Sequence, residues 1–559
     1  MRLKTILKGI MEPTPTQRDI INEDGNTVVL ASPGSGKTFV MSEKIKRLLR
    51  NDEMREYQGV IAISYTRKAS THLKRKSLTD GVREKNSFFG TIDSFCLTQI
   101  VLPFGSYVMG YPAKEVIPIA ENDLEKGRKA DFEWIGSIHP DYDDIKEPSW
   151  NKLYELFLEG YVLINSLELM ALHIIKNCPA CRAHLRARFK YVFFDEFQDA
   201  DTYTNGIFRE LIELGLVANA VGDPNQSIFG FAHKVSEYLE ALEKKPGFKA
   251  FQLVDNFRCS TPIVNYSNRL LDANCEIAET DEDGVKLITV NGDESSVAEY
   301  LTNVIGDDCE NWDVKDLSQV AILVKNKTTQ AYIDNNLEIP HRVVASTPLD
   351  DDVNPRSRLY AQLLMFYFDK NMPFMAVLDE YVDYDIFTNS VKQKLLTLRD
   401  RIRAVDLLVI ADEFPSLFKK VADIILPKYQ EGSSLNHLKT VLADEKLTET
   451  YKPLKENEVV IMTLHKAKGL EFDIVYHLNM NEWELPVKIP RDGDWNDLCY
   501  PQYEQDLNLH FVGVTRARKL CALITSTSRH NSYDQARKSS PSEFLFLNGV
   551  EEMRKDYSY

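Results

Sequence analysis

Ala31-Ser32-Pro33-Gly34-Ser35-Gly36-Lys37-Thr38 stands between a β-branched run, Thr27 to Ala31, and a helix-patterned stretch, Phe39 to Leu49. A strand, a glycine loop and a helix in this order make a phosphate cradle, because glycines let backbone N–H groups turn inward at a helix N-terminus, where the dipole favours an anion. Lys37 then has the reach to touch terminal phosphates, and the Thr38 hydroxyl can ligate Mg2+. Ala31 occupies the pattern's first glycine position, which is tolerated because that residue still belongs to the strand end. Ser32, Pro33, Gly34, Ser35 and Gly36 are therefore expected to line a nucleoside triphosphate.

Working outward, Tyr191-Val192-Phe193-Phe194-Asp195-Glu196 is a buried apolar strand ending in two adjacent carboxylates. That arrangement puts Asp195 on a metal and Glu196 beside an attacking water. The alternative reading is an acidic pair at a helix N-terminus, favourable against the macrodipole. Other short apolar runs read as buried parallel strands: Val60 to Ser64, Ala218 to Val221, Val320 to Val324, Val459 to Met462, Ile474 to Leu478 and Cys521 to Thr525. With Thr27 to Ala31 and Tyr191 to Phe194, four runs fall before residue 225 and four after 320, which predicts two separate parallel sheets. Leu124 to Ala187 and Arg356 to Leu447 carry helical periodicity without comparable strand signals and look like insertions.

More motifs follow in order. Asp195-Glu196-Phe197-Gln198-Asp199 precedes Val221-Gly222-Asp223-Pro224-Asn225-Gln226-Ser227-Ile228-Phe229-Gly230-Phe231, then come Asn256-Phe257-Arg258, Thr463-Leu464-His465-Lys466-Ala467-Lys468-Gly469-Leu470-Glu471 and Val512-Gly513-Val514-Thr515-Arg516. Upstream stand Thr16-Gln17-Arg18, Ser64-Tyr65-Thr66-Arg67-Lys68-Ala69 and Gly90-Thr91-Ile92-Asp93-Ser94-Phe95. From about residue 14 to 528 the chain resembles superfamily 1A DNA helicases of the UvrD/Rep/PcrA type. Compact UvrD-like helicases that work with nucleases in bacterial antiviral systems of the Gabija type are also similar.

The resemblance implies an α/β fold: two RecA-like P-loop domains with parallel sheets, 1A and 2A, each carrying a mainly helical insertion, 1B or 2B. The expected limits are 1–104 and 188–258 for 1A, 105–187 for 1B, 259–352 and 455–559 for 2A, and 353–454 for a reduced 2B. It implies that Gln17 reads adenine, that Asp195 and Thr38 serve the metal, that Glu196 orients or deprotonates the water, and that Gln226 senses the γ-phosphate. Arg258 and Arg516 become arginine fingers from the second domain, and Gly469 and Glu471 nucleotide contacts. Phe257, beside Arg258, can offer adenine a flat face. The implied DNA contacts are Tyr65, Arg67, Phe95, Phe229, Phe231 and His465; for the pair Phe229 and Phe231, core packing is the competing reading. The chain departs from the family where Ala232 and His233 replace an arginine, where Asp93 replaces a common histidine, and where Asp506-Leu507-Asn508-Leu509 stands in place of arginines.

Composition bounds the rest. In 559 residues, 43% are hydrophobic and 27% charged, an ordinary globular balance. The formal charge, 67 − 84 = −17, confines any nucleic-acid track to a local basic strip. The longest apolar stretch, Tyr161 to Ile175, is broken by Asn165 and Glu168 and falls short of the roughly 20 residues that a membrane span needs. Cytosolic residence is the default, and eight cysteines are too sparse for a disulfide framework, with Cys178 and Cys181 either plain thiols or half a zinc site. Two functions are carried forward. One is an ATP- and Mg2+-dependent motor moving 3′ to 5′ on single-stranded DNA; the other is an ATP-gated sensor of gapped or single-stranded DNA that regulates a partner nuclease.

Overall fold

The computed structural model describes residues 12–124, 126–228, 230, 236–382, 384, 387–491, 493–531 and 535–559. Six strands make the first sheet: β1 (Asn26–Ala31), β2 (Gly59–Ile63), β3 (Phe88–Gly90), β4 (Phe189–Phe194), β5 (Val217–Gly222) and β6 (Phe248–Leu253). Their order is β3-β2-β4-β5-β1-β6, and all neighbours are parallel. A parallel sheet is covered on both faces, which is why β2 reads as an apolar run buried at every residue.

Three strand ends set the positions of the phosphate loop and the acidic segments. β4, β5 and β1 are adjacent, with Phe194 paired to Ala220 and Leu30 to Gly222. The segments leaving them begin at Asp195, Asp223 and Ser32, and so emerge side by side within about 10 Å, two inter-strand spacings, at the carboxyl edge of the sheet.

The second sheet contains β7 (Val285–Val290), β8 (Val320–Val324), β9 (His341–Val343), β10 (Val459–Thr463), β11 (Phe472–His477), β12 (Ala517–Ser526) and β13 (Lys555–Ser558), in the order β9-β10-β8-β11-β12-β7-β13, again parallel. Glu471 and Arg516 immediately precede two neighbouring strands, with Phe472 paired to Ala517. The chain therefore adopts the expected α/β class with two parallel sheets, and all eight apolar runs lie in them. β3, β6, β7, β9 and β13 were not anticipated. Four of these five are short or at an edge, and an edge strand such as β13, exposed throughout, has no buried face to declare it.

The first helical stretch contains Glu147–Leu158, Leu167–Asn177 and Pro179–Arg188, together with a strand, Tyr161–Leu163, that pairs with Ile117–Ile119. Its Leu172, Ile174 and Cys181 share one continuous core with Ile61 and Val192 of the first sheet. Cys178 caps the last of these helices, its sulfur accepting from Cys181 N at 3.4 Å. The second stretch, with helices Pro355–Phe368, Asn389–Ala404, Ile410–Ile425 and Ser434–Ala443, builds its own core around Tyr360, Phe366, Phe414 and Phe418. Tyr429 packs against both cores.

Candidate nucleotide site and strand-contact face

Gly34 and Gly36 take left-handed backbone, with φ +71° and +88°. Both are also places of close approach. A Cβ on Gly34 would stand 2.7 Å from Arg258 Cβ and from Asn256 Oδ1, and one on Gly36 would stand 2.9 Å from Gln17 Nε2. Phe257 N donates to Gly34 O at 3.0 Å, so the loop carrying Arg258 lies directly on the phosphate loop. Gln17 is buried, and its amide braces that loop: Nε2 donates to Ser35 O at 3.0 Å while Oε1 accepts from Thr14 N at 3.1 Å. Nε2 carries a second N–H beyond the one given to Ser35 O, so Gln17 can brace the loop and still donate to adenine.

Ser35 Oγ and Lys37 Nζ are buried and have no hydrogen-bond partner among the described residues. Buried polar atoms without partners are rare in folded chains. Phosphate oxygens would supply the missing acceptors, so the residues fit the triphosphate expected from the sequence.

Lys37 Nζ stands 3.6 Å from Glu196 Oε1. Glu196 takes a left-handed backbone, φ 54° and ψ 43°, a conformation that costs a non-glycine residue about 1–3 kcal/mol and that clusters at functional sites. Gln198 donates through Nε2 to the Glu196 carboxylate and accepts from Asp223 N at 3.0 Å, tying two strand ends together. Burial alone would lift the Glu196 pKa; Lys37, Lys468, the Gln198 hydrogen bond and Arg516 outweigh it and hold the carboxylate well below its usual range. Asp195 moves the other way, raised by burial and by the Glu196 charge, with Lys37 opposing. Burial would also lower Lys37, but Glu196, Asp223 and Asp195 outweigh it and raise its pKa, keeping the ammonium charged.

The opposite wall comes from the second sheet's lobe. Arg516, 1% exposed, donates from Nη2 to Gln226 Oε1 at 3.2 Å, from Nε to Val512 O at 3.0 Å and from Nη1 to Leu470 O at 3.2 Å. Burial and then the Arg258 charge lower its pKa to about 10, which leaves it cationic at neutral pH. Gln226 Nε2 in turn donates to Asp223 Oδ2 at 2.6 Å. Arg258 Nε pairs with Glu471 Oε2 at 2.7 Å, and Phe257 is 52% exposed, a free aromatic face at the rim. Gly469 has φ +83° and open space around it. Of the expected nucleotide residues, the structure thus joins Lys37, Asp195, Glu196, Gln226 and Arg516 in one charge network, with Arg258 and Glu471 beside it.

Four residues without an expected role belong to the same network. Asp223 and Gln198 orient it through the bonds given above, and Asn256 Oδ1 accepts from Arg258 N at 2.8 Å. Lys468 crosses between the lobes, with Nζ 2.7 Å from Asp199 Oδ2 and 2.7 Å from Gln226 O. Their presence inside the motif segments was the available signal, although residue type alone did not say which neighbour each would bond.

The strand-contact expectations divide. Tyr65 is 44% exposed. Arg67 opens the helix Arg67–Ser77, and its guanidinium lies 4.9 Å over the ring of Tyr381 from the second helical stretch. It lines a cavity of about 240 Å³ with Asp93, Glu168, Asp201, Arg358 and Tyr429. Burial first, then Asp93 and Asp201, raise the Glu168 pKa well above the ordinary value. His465 is half-buried; burial and Lys325 lower its pKa, so the ring is a neutral hydrogen-bonding group rather than a cation. Phe95 requires a correction: it is fully buried, with ring centroids 5.3 Å from Phe88 and 6.3 Å from Phe189, and serves the core rather than a base. Phe229 and Phe231 lie outside the described residues.

Residues 14–107 and 152–246 match the UvrD/REP helicase N-terminal domain, and residues 369–528 match the UvrD-like helicase C-terminal domain. Gabija protein GajB of Bacillus cereus is 24% identical over 534 residues, covering 93% of this chain and 96% of that protein. ATP-dependent DNA helicase PcrA is 22% identical over 634 residues in Staphylococcus epidermidis and 22% in Staphylococcus aureus, covering 93% of this chain and 84% of each relative. Among the described residues no helix is long and apolar enough to cross a membrane. Matches to both halves of the family's domain pair, on a chain whose two parallel sheets meet over a phosphate loop, place it in the UvrD/REP helicase family.

Proposed function

We propose that the chain is a DNA-stimulated ATPase that moves 3′ to 5′ along single-stranded DNA and separates the complementary strand. The observation that carries this reading is the buried, unbonded Lys37 ammonium facing Glu196, with Arg516 reaching Gln226 from the other lobe. Lys37 and the loop amides bind the phosphates, and Phe257 stacks on adenine. Thr38 and Asp195 would hold Mg2+, which when bound offsets phosphate charge. Glu196, 3.6 Å from Lys37, orients or deprotonates the attacking water. Arg516 and Arg258 stabilise transition-state charge only when the lobes close, which links hydrolysis to lobe motion. Direction and strand separation rest on the family resemblance.

A second reading is favoured by the near-complete overlap with Gabija protein GajB, against the shorter share of PcrA that the chain spans. In it the same ATPase senses gapped or single-stranded DNA and controls a partner nuclease, with little unwinding of its own. ATP turnover with and without single-stranded oligonucleotide tests the shared claim: Lys37→Ala is expected to abolish turnover with the fold intact, and wild-type-like turnover would remove the assignment. A gapped duplex separates the two readings, since robust displacement by the isolated chain sinks the sensor.

A further inference from the structure

The turn Asp223–Ser227 leaves the first sheet yet is gripped by the second lobe. Its internal bonds, Gln226 N to Asp223 O and Ser227 N to Pro224 O, do not use the carbonyls of Gln226 and Ser227. Lys468 takes the first of these. Asn508 takes the second: its Nδ2 donates to Ser227 O at 3.0 Å and also reaches Pro224 O at 3.4 Å.

Asn508 lies on the helix Tyr503–Val514, which runs directly into Thr515 and Arg516. Arg516, two residues beyond the helix, bonds the Gln226 side chain, and Asn508, in the middle of the helix, bonds the Ser227 carbonyl, so this one segment holds the turn twice. Eight residues at 1.5 Å each put Asn508 and Arg516 about 12 Å apart along the axis. The helix is itself anchored: Asp506, 2% exposed, pairs with Lys325 just after β8 and accepts from Val487 N at 2.7 Å. Gln505 lies against Gly230, where any Cβ would strike its amide. The residues that depart from the family's arginines thus have distinct tasks. Asp506 is an anchor, and Asn508 is an arm.

We propose that Asn508 is a positioning residue for coupling between nucleotide and strand. It locks the turn carrying Gln226 to the helix that leads into Arg516, so nucleotide drawn between Gln226 and Arg516 moves the turn Asp223–Ser227 and that helix together. The inference rests on the proposed ATPase and strand-binding function. The link is a neutral amide-to-carbonyl contact, which salt does not screen as it screens an ion pair between exposed charges.

The test is the coupling factor itself, the ratio of oligothymidylate dissociation constants with and without a non-hydrolysable ATP analogue, measured on the full chain by fluorescence anisotropy. Asn508→Leu keeps the volume and removes the donor. It is expected to leave nucleotide-free strand affinity within about twofold while moving the ratio toward unity by about fivefold or more, and to shrink the oligonucleotide's effect on analogue affinity by the same factor. Asn508→Gln, which keeps the amide, is expected to restore most of the ratio. An unchanged ratio in Asn508→Leu overturns the inference, as does an equal loss of both affinities together with a lowered melting temperature. If strand affinity in the wild-type chain ignores the analogue, the proposed function fails and takes the inference with it; failure in Asn508→Leu alone leaves that function standing.

Discussion

Replacing Arg516 separates its proposed catalytic work from its structural work, because the structure gives each a size. The side chain is 1% exposed and its hydrogen bonds end on Val512 O, Leu470 O, Gln226 Oε1 and Thr515 Oγ1, the last a hydroxyl that itself donates to main-chain carbonyls. Removing it strands buried acceptors at about 1–3 kcal/mol each; Leu470 is an exposed residue, so water can serve its carbonyl, and the two remaining acceptors, Val512 O and Gln226 Oε1, put the total for Arg516→Ala at about 2–6 kcal/mol. An arginine finger is worth about 10³–10⁵ in rate, or about 4–7 kcal/mol of barrier. Arg516→Lys keeps the positive charge without the planar fork, so it is expected to retain more stability than Arg516→Ala while losing about as much rate. The assay is steady-state ATP turnover at saturating single-stranded DNA, with nucleotide affinity from equilibrium titration and melting followed by circular dichroism. Both variants are expected to lose about 10³-fold in kcat with ATP affinity within about fivefold of wild type. Normal kcat with impaired ATP binding alone would refute the finger role, and a loss of rate tracking the unfolded fraction would reduce Arg516 to a structural residue.

Phe257→Ala is expected to leave thermal stability within about 0.5 kcal/mol, since the ring is half exposed, and to raise KM for ATP about threefold to tenfold, which is the worth of one aromatic stacking contact. Unchanged KM would exclude Phe257 from the adenine. Phe95→Ala is expected to cost about 3–5 kcal/mol in denaturant melts with strand affinity of the folded fraction preserved; a stable variant that lost strand binding would restore the base-contact reading. His139 Nε2 stands 3.4 Å from Asp201 Oδ2; burial alone would lower the histidine pKa, but Asp201 outweighs it and raises it above the ordinary 6.5. That stabilisation is fully present below pH 6.5 and fades as pH rises through the raised value. The melting-temperature gap between wild type and His139→Gln should therefore be wider at pH 6 than at pH 8.5, and a constant gap would dismiss the pair.

Much of the fold was legible because parallel strands buried on both faces must be apolar throughout, as Gly59–Ile63 and Val320–Val324 are. Phe248–Leu253 was not legible, because this edge strand is largely exposed and its Lys249 and Gln252 read as loop. In the candidate site, Lys37 and Glu196 stood out since each follows a strand in a fixed local pattern, and local patterns survive in one dimension. Phe95 misled for the opposite reason. Its segment resembles one with which the family grips strands, but which residue of a short helix faces solvent depends on neighbours such as Phe88 and Phe189 that the segment itself does not contain.

Residue order alone determined the phosphate loop, the acidic strand end and the two parallel sheets, which follow from periods and spacings within a few dozen residues, and it carried the family resemblance through motifs in order along most of the chain. Tertiary structure alone decided that Gln17 braces the loop, that Phe95 is core, and that Lys468 and Asn508 hold the turn behind Gln226. Those contacts join residues more than 200 positions apart in the two lobe-crossing cases, and their donors and acceptors include main-chain carbonyls that every residue possesses. A group common to all residues leaves no mark on composition, so only folding reveals which carbonyl has been taken.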